Sequence, residues 1–485
     1  MKRIAVLLAV MAMFMLNLSL YCEDDFETWN KEQSQEFQSY KESQNKAFAE
    51  FLKKQWESFE LYKAEYFDQT PKPETAPVAE EEVLQEVPSA DIIENIVVPK
   101  KIELVEEEAE EKNFMAVVPV AEEADLIIDY WGEPLKLKYL NRFIFQLHTP
   151  VNYKEIAEFW NIASDTEYEK LIEQLQAYKK KIGLNDWGYC LLINEISKNL
   201  TGNSANETKL LVWFLLTQSG FDTKVAYSQD NVYLMMTSGN KIFGVPYLRF
   251  GEKRFYVVSL GEPEKISGSI YTFNGSYPDA DREIDLTINN MPNLKPSLIE
   301  KELSFEYGGK RYIMKIQHNQ NNAKYLDDYP QTNLEIYFGA PLSNEAYRSL
   351  SSQLKPLLEG KPQAEAVNIL LRFVQTAFAY KTDGEQFGKE KSLFSDETFF
   401  YPYCDCEDRS ILFAFLVRNI LGLQVIGLDY PGHIATAVRL DSYFKGYAVK
   451  YQNERYLICD PTYINANIGM VMPQFKGERP KLIKI

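Results

Sequence analysis

At 485 residues the chain exceeds one ordinary domain and holds material for two or three cores. Its 52 basic and 70 acidic residues leave a net charge of -18, which excludes the basic field that grips nucleic-acid phosphates. Five cysteines, Cys22, Cys190, Cys404, Cys406 and Cys459, are too few for a disulfide framework, and three of them gather near the C-terminus.

The basic start Met1-Lys2-Arg3 leads into an apolar run from Ile4 to Leu20 broken only by Asn17 and Ser19, so residues 1–21 read as an export signal. Cys22 lies where a lipoprotein's acylated cysteine would sit, although Tyr21 is large for that processing site. The expected location is exported, in a periplasm or cell envelope. Over 22–67 two aromatic rows recur every 11 residues, Phe26, Phe37, Phe48, Phe59 and Trp29, Tyr40, Phe51, Tyr62. That period predicts one amphipathic helix. Its stripe would pack on the chain's own globular part, pair with a second copy as a coiled coil, or hold a cell-envelope partner. Residues 68–125 combine six prolines, from Pro71 to Pro119, with acidic runs and read as an extended linker.

Residues 126–265 read as an α/β unit, helical near Lys154 to Lys181 and Trp187 to Leu200. Asn206 to Leu216, closed by Gly220, parallels Cys406 to Leu421, closed by Gly422. Gly244–Phe250 and Arg254–Ser259 likewise parallel Gly446–Tyr451 and Arg455–Asp460, at an offset of about 200 residues. This predicts an internal duplication whose first copy lacks the chemistry, with Asn206 for Cys406, Ser259 for Asp460, and Asn231 or Val232 where a histidine would fall. Residues 266–345 read as β-rich: Glu283–Ile288, Leu303–Tyr307 and Tyr312–Ile316 alternate with period two, and Gly308-Gly309 makes a turn. A small sandwich or sheet extension is expected there, with His318 in a solvent-facing loop. The whole is α+β.

The last unit, 346–485, carries the chemistry. Asp405-Cys406-Glu407-Asp408-Arg409 opens a helix that is apolar on nearly every side, and its N-terminal dipole should lower the Cys406 thiol pKa. Of three histidines, His148, His318 and His433, only His433 lies in this unit, at the head of the strand-like run Ile434–Val438. Asp460 ends a second strand before Pro461 and is placed to accept from His433 Nδ1. Nucleophile, base and orienter then follow in the order Cys406, His433, Asp460. A zinc site of Cys404, Cys406, Cys459 and His433 is the alternative, but Cys-x-Cys is tight for one and period two turns Cys459 away from Asp460's face. A Cys404–Cys459 disulfide, or a cap of Cys406 by Cys404, is also open. Asp405, Glu407 and Asp408 should raise the thiol pKa. One remedy has Glu407 and Asp408 bonding first-turn N–H groups while Arg409 pairs with an acid. The Cys406 N–H is one oxyanion donor by position, and Gln386 and Tyr403 compete for the second. The run Phe399-Phe400-Tyr401-Pro402-Tyr403 either lines an acyl groove or packs in the core.

From about Lys361 to Ile485 these motifs, Asp405 to Arg409, Gly432-His433 and Cys459-Asp460-Pro461-Thr462, resemble the bacterial transglutaminase-like superfamily, relatives of papain. A decayed echo covers about 150–265. The resemblance implies a papain-like fold and a Cys406 nucleophile, with His433 as base and Asp460 behind it, working through an acyl-enzyme thioester. It implies no required cofactor. Calcium held by Asp405 and Glu407 is the second remedy for the acids, as in similar calcium-dependent periplasmic proteases. Since the superfamily includes peptidases, amidases and cross-linkers, the expectation is an exported thiol hydrolase or acyltransferase on a protein or peptide substrate, peptidase first. A cross-linking transglutaminase, or a non-catalytic envelope scaffold with a vestigial triad, is the rival.

Overall fold

The computed structural model describes residues 28–29, 31–68, 70–79, 126–138, 145–261, 266 and 269–485. The export signal, Cys22 and the linker beyond residue 79 lie outside the described residues. With 39% helix and 25% strand the chain is of the expected mixed class. No described helix is long and apolar enough to cross a membrane.

Helices Tyr153–Ser164, Tyr168–Ile182, Asp186–Leu200 and Ala205–Gln218 lead into the first sheet. Ala205–Gln218 buries Leu210, Val212, Trp213, Phe214 and Leu215 and is apolar all round, as a helix enclosed by its neighbours must be. The sheet is antiparallel, in the order Glu57–Glu60, Ser269–Thr272, Thr223–Ser228, Asn231–Thr237, Lys253–Val258, Tyr247–Phe250.

The C-terminal sheet repeats that plan. After helix Cys406–Leu421, ended by Gly422 in the left-handed conformation, the strands lie in the order Lys481–Ile483, Val425–Tyr430, His433–Val438, Glu454–Cys459, Ala448–Tyr451. In both units a hairpin follows the helix, the fourth strand pairs with the hairpin's second, and the third strand takes the edge. A strand from later in the chain flanks the hairpin's first strand on the other side, and in the first sheet Glu57–Glu60 adds the edge beyond it.

Three expectations are corrected. The aromatic repeat is helical over 31–52 but not beyond; its later copies run through a turn into strand Glu57–Glu60, where Phe59 meets Phe250 at 5.2 Å. Phe48 explains the switch: it is buried against Trp160 (4.7 Å), Tyr277 and Phe273, so the helix end is docked, while Phe37 and Tyr40 stay exposed. The β-rich stretch forms no sandwich: Ser269–Thr272 extends the first sheet, and Leu298–Tyr307 with Lys310–Asn319 makes a separate long hairpin packed on helices Asn344–Leu358 and Gln363–Ala377. Glu283–Ile288 alternates but forms no strand; it reaches the first sheet through a single bridge, Ser238 to Ile284. His318 is a buried strand residue, and burial followed by the charge of Lys301 pulls its pKa down to about 4.

Candidate active site

Cys406 is the first residue of its helix and is fully buried. Its thiol donates to Glu407 Oε2 at 3.1 Å, and the nearby Ile434 N–H favours the thiolate. The thiol pKa is raised, not lowered as the helix dipole alone would have it. Burial is the main cause, and the carboxylates of Glu407 and Asp405 add to it against the opposing charge of Lys72. In the first unit Asn206 takes the corresponding place: its Oδ1 accepts from the Val232 N–H at 2.9 Å. Asn231 heads its strand as His433 heads the other.

His433 and Asp460 meet as expected, but through the other ring nitrogen. His433 Nε2 lies 2.9 Å from Asp460 Oδ2, whereas Nδ1 is buried with no hydrogen-bond partner. His433 and Cys406 line one cavity of about 430 Å³, with Nδ1 as the nitrogen left for a thiol or a reacting group. Asp460 is itself held, because its Oδ1 accepts from the N–H groups of Thr462 (2.9 Å) and Tyr463 (3.1 Å). Gln375, buried on helix Gln363–Ala377, donates its amide to the carbonyls of Asp460, Tyr463 and Ala466 at 3.0, 2.8 and 3.0 Å. Phe475 stacks on the imidazole at 5.3 Å and fixes its plane.

The acids are neutralised by a residue from the proline-rich stretch. Lys72 Nζ donates to Asp405 Oδ2 (2.8 Å), Glu390 Oε2 (2.7 Å), Asp383 Oδ2 (3.3 Å) and Glu407 Oε1. Burial alone would discharge the ammonium, but Glu407 and Asp405 reverse that and hold its pKa above the usual lysine value. In return Lys72 overcomes the burial of Glu407 and brings it to about 2. Burial, then the charge of Glu407, pushes Asp383 up to about 8 and Asp405 well above the carboxylate range. Of the acids around the ammonium, Glu407 is thus driven toward its ionised form, while Asp383 and Asp405 are driven toward their protonated forms.

Arg409 plays no part in this. Its guanidinium donates to the carbonyls of Gln375 (3.2 Å) and Phe378 (2.7 Å). Asp408 caps as expected in kind, accepting from the N–H groups of Asp405 (3.1 Å) and Leu393 (2.7 Å), while Glu407 turns to the thiol and Lys72. Gln386 bonds the carbonyl of Tyr403, and neither lines the cavity, so neither supplies the second oxyanion donor in this arrangement. Phe399 is core. Cys404, Cys406 and Cys459 are all free thiols, and Cys404 and Cys459 join no cluster of metal-ligating groups among the described residues. Carboxylate oxygens of Asp383, Asp405 and Asp408 lie within 4.8 Å of one another, as do those of Asp383, Glu390 and Glu407. Such donors suit a hard cation in kind, and Asp405 Oδ1 is buried without a partner. The Lys72 ammonium already stands among them.

Residues 70–79 carry Lys72 across the cavity. Gly432, at φ +67°, leaves space for them: a Cβ there would lie 2.9 Å from the Pro71 oxygen. Tyr380 donates to the Pro73 carbonyl at 2.8 Å, and Ile464 exchanges backbone bonds of 2.8 Å with Pro77 and Ala79. No family model, no curated protein and no solved structure matches this chain.

Proposed function

We propose that the chain is an exported, thiol-dependent enzyme acting on peptide or amide bonds, with Cys406 as nucleophile, His433 as base and Asp460 as the group that orients the imidazole. One observation carries this reading: His433, paired through Nε2 with the buried Asp460 and left with an unpartnered Nδ1, lines the same cavity as Cys406. Attack by the thiol would give a thioester, with His433 passing the proton to the leaving amine. Water would then release the acid, which makes hydrolysis the first expectation over transfer to an amine. No step in this chemistry requires a metal. Calcium is the alternative occupant of the carboxylate cluster, supplying there the positive charge that Lys72 supplies here. The resemblance to the transglutaminase-like superfamily and the shared strand order of the two units support the layout of a catalytic C-terminal unit and a first unit without the triad.

A second reading is favoured by one fact: the thiol is fully buried and bonded to Glu407 rather than to His433. In a scaffold with a vestigial triad it would stay so. Iodoacetamide labelling of Lys72→Ala, with the labelled cysteine mapped by mass spectrometry, separates the two. The enzyme reading expects Cys406 to react and Cys406→Ala to abolish turnover of a peptide library. A Cys406 that stays inert once Lys72 is removed sinks it.

A further inference from the structure

Residues 70–79 sit in the cleft as a bound peptide would. Pro71 and Pro73 fix the backbone on either side of Lys72 in an extended form. The backbone bonds to Tyr380 and Ile464 would serve any extended chain. Ala79 is buried against Tyr463, Ala466 and Met472, and the charged side chain, Lys72, enters a pocket made of four carboxyl groups.

We propose that Asp383, Glu390, Asp405 and Glu407 form a recognition subsite for the cationic side chain of a peptide substrate, an ammonium or a guanidinium, and that residues 70–79 are its intramolecular occupant. The proposal rests on the thiol-enzyme reading for the word substrate, and on geometry for the subsite. Cys406 is fully buried and shares its cavity with Lys72, so withdrawal of these residues would open that cavity to a substrate. Withdrawal removes Lys72 and leaves Glu407 buried without a counter-charge, which is unfavourable. A peptide bearing lysine or arginine restores the charge, and a neutral peptide does not. The strap and such a substrate therefore compete for one place, and the enzyme is latent until the strap is displaced.

The test uses the full chain carrying Lys72→Ala and Cys406→Ala, so that binding is read without turnover. A fluorescein-labelled peptide reproducing residues 70–79 is compared with versions holding arginine or norleucine in place of its lysine. The lysine and arginine peptides should bind about tenfold or more tighter than the norleucine peptide. The preference should vanish when Asp383→Asn and Glu390→Gln are added, with the near-ultraviolet circular dichroism unchanged. Equal affinity for all three peptides would overturn the proposal. So would displacement of the lysine peptide by calcium chloride where sodium chloride of equal ionic strength has no effect, since the pocket would then be a metal site. The Lys72→Ala single variant is assayed in parallel for peptide cleavage. A lysine preference in binding with no cleavage rejects the enzyme reading and keeps the cation subsite.

Discussion

His433 gives Nε2 to Asp460 at 2.9 Å and keeps Nδ1 without a hydrogen-bond partner. The carboxylate therefore sets which nitrogen is free to take a proton. In the Lys72→Ala background, Asp460→Ala should lower kcat on a peptide substrate by about a thousandfold. Asp460→Asn should lose less, because its amide oxygen still accepts from Nε2–H. Equal losses in the two variants would show that orientation of the ring is not what Asp460 supplies.

Gln375 ties together three carbonyls of the loop that follows Asp460. Gln375→Ala removes a donor from each of the three, the Tyr463 carbonyl keeping the Ala466 N–H, and should cost about 1–3 kcal/mol in urea unfolding. The activity loss should exceed what the unfolded fraction explains, since the loop also positions Asp460.

The buried His318, at about 4 in the folded chain against an ordinary 6.5, makes stability pH-dependent. Its folded pKa is depressed, so the unfolded chain binds the extra proton first. The stability from keeping the ring neutral is present above about pH 6.5 and is lost as pH falls toward 4. His318→Gln should flatten that part of the profile, by about 1–3 kcal/mol across the window, as read from urea midpoints at successive pH values.

Gly432 makes the close passage of residues 70–79 possible. In Gly432→Ala the new methyl meets the Pro71 oxygen and the backbone keeps an unfavourable positive φ. Iodoacetamide should then modify Cys406 about tenfold or more faster than in the wild type, and the strap should become the first site of limited proteolysis. Unchanged labelling would mean that the strap does not control access to the thiol.

Phe48 anchors the N-terminal helix in the first core. Phe48→Ala should destabilise by about 3–5 kcal/mol. Phe37→Ala, at an exposed position of the same stripe, should leave the unfolding midpoint unchanged.

The buried helix opened by Cys406, the strand headed by His433 and the strand ended by Asp460 could be read along the chain because each is local. Apolar periodicity, a glycine stop and period-two strands announce them without reference to distant residues. Lys72 could not be read so. It lies in a proline-rich acidic stretch, 333 residues before Asp405, and only the folded chain brings it to the acids. Arg409 misled for the converse reason: it is adjacent in sequence, but the helix turns it toward the carbonyls of Gln375 and Phe378. Glu283–Ile288 alternates as a strand would, yet lacks a continuous partner edge. The repeat beyond residue 52 kept its spacing while the backbone changed from helix to strand.

The bond from Asn206 to Val232 in one unit and the approach of Cys406 to the Ile434 N–H in the other are the same fastening of helix start to hairpin, made once with an amide and once with sulfur. Position 406 thus has an architectural duty that can be discharged without a thiol. Cys406→Asn should keep the wild-type melting temperature while losing all turnover, separating the cost of losing the reaction from the cost of losing the fold.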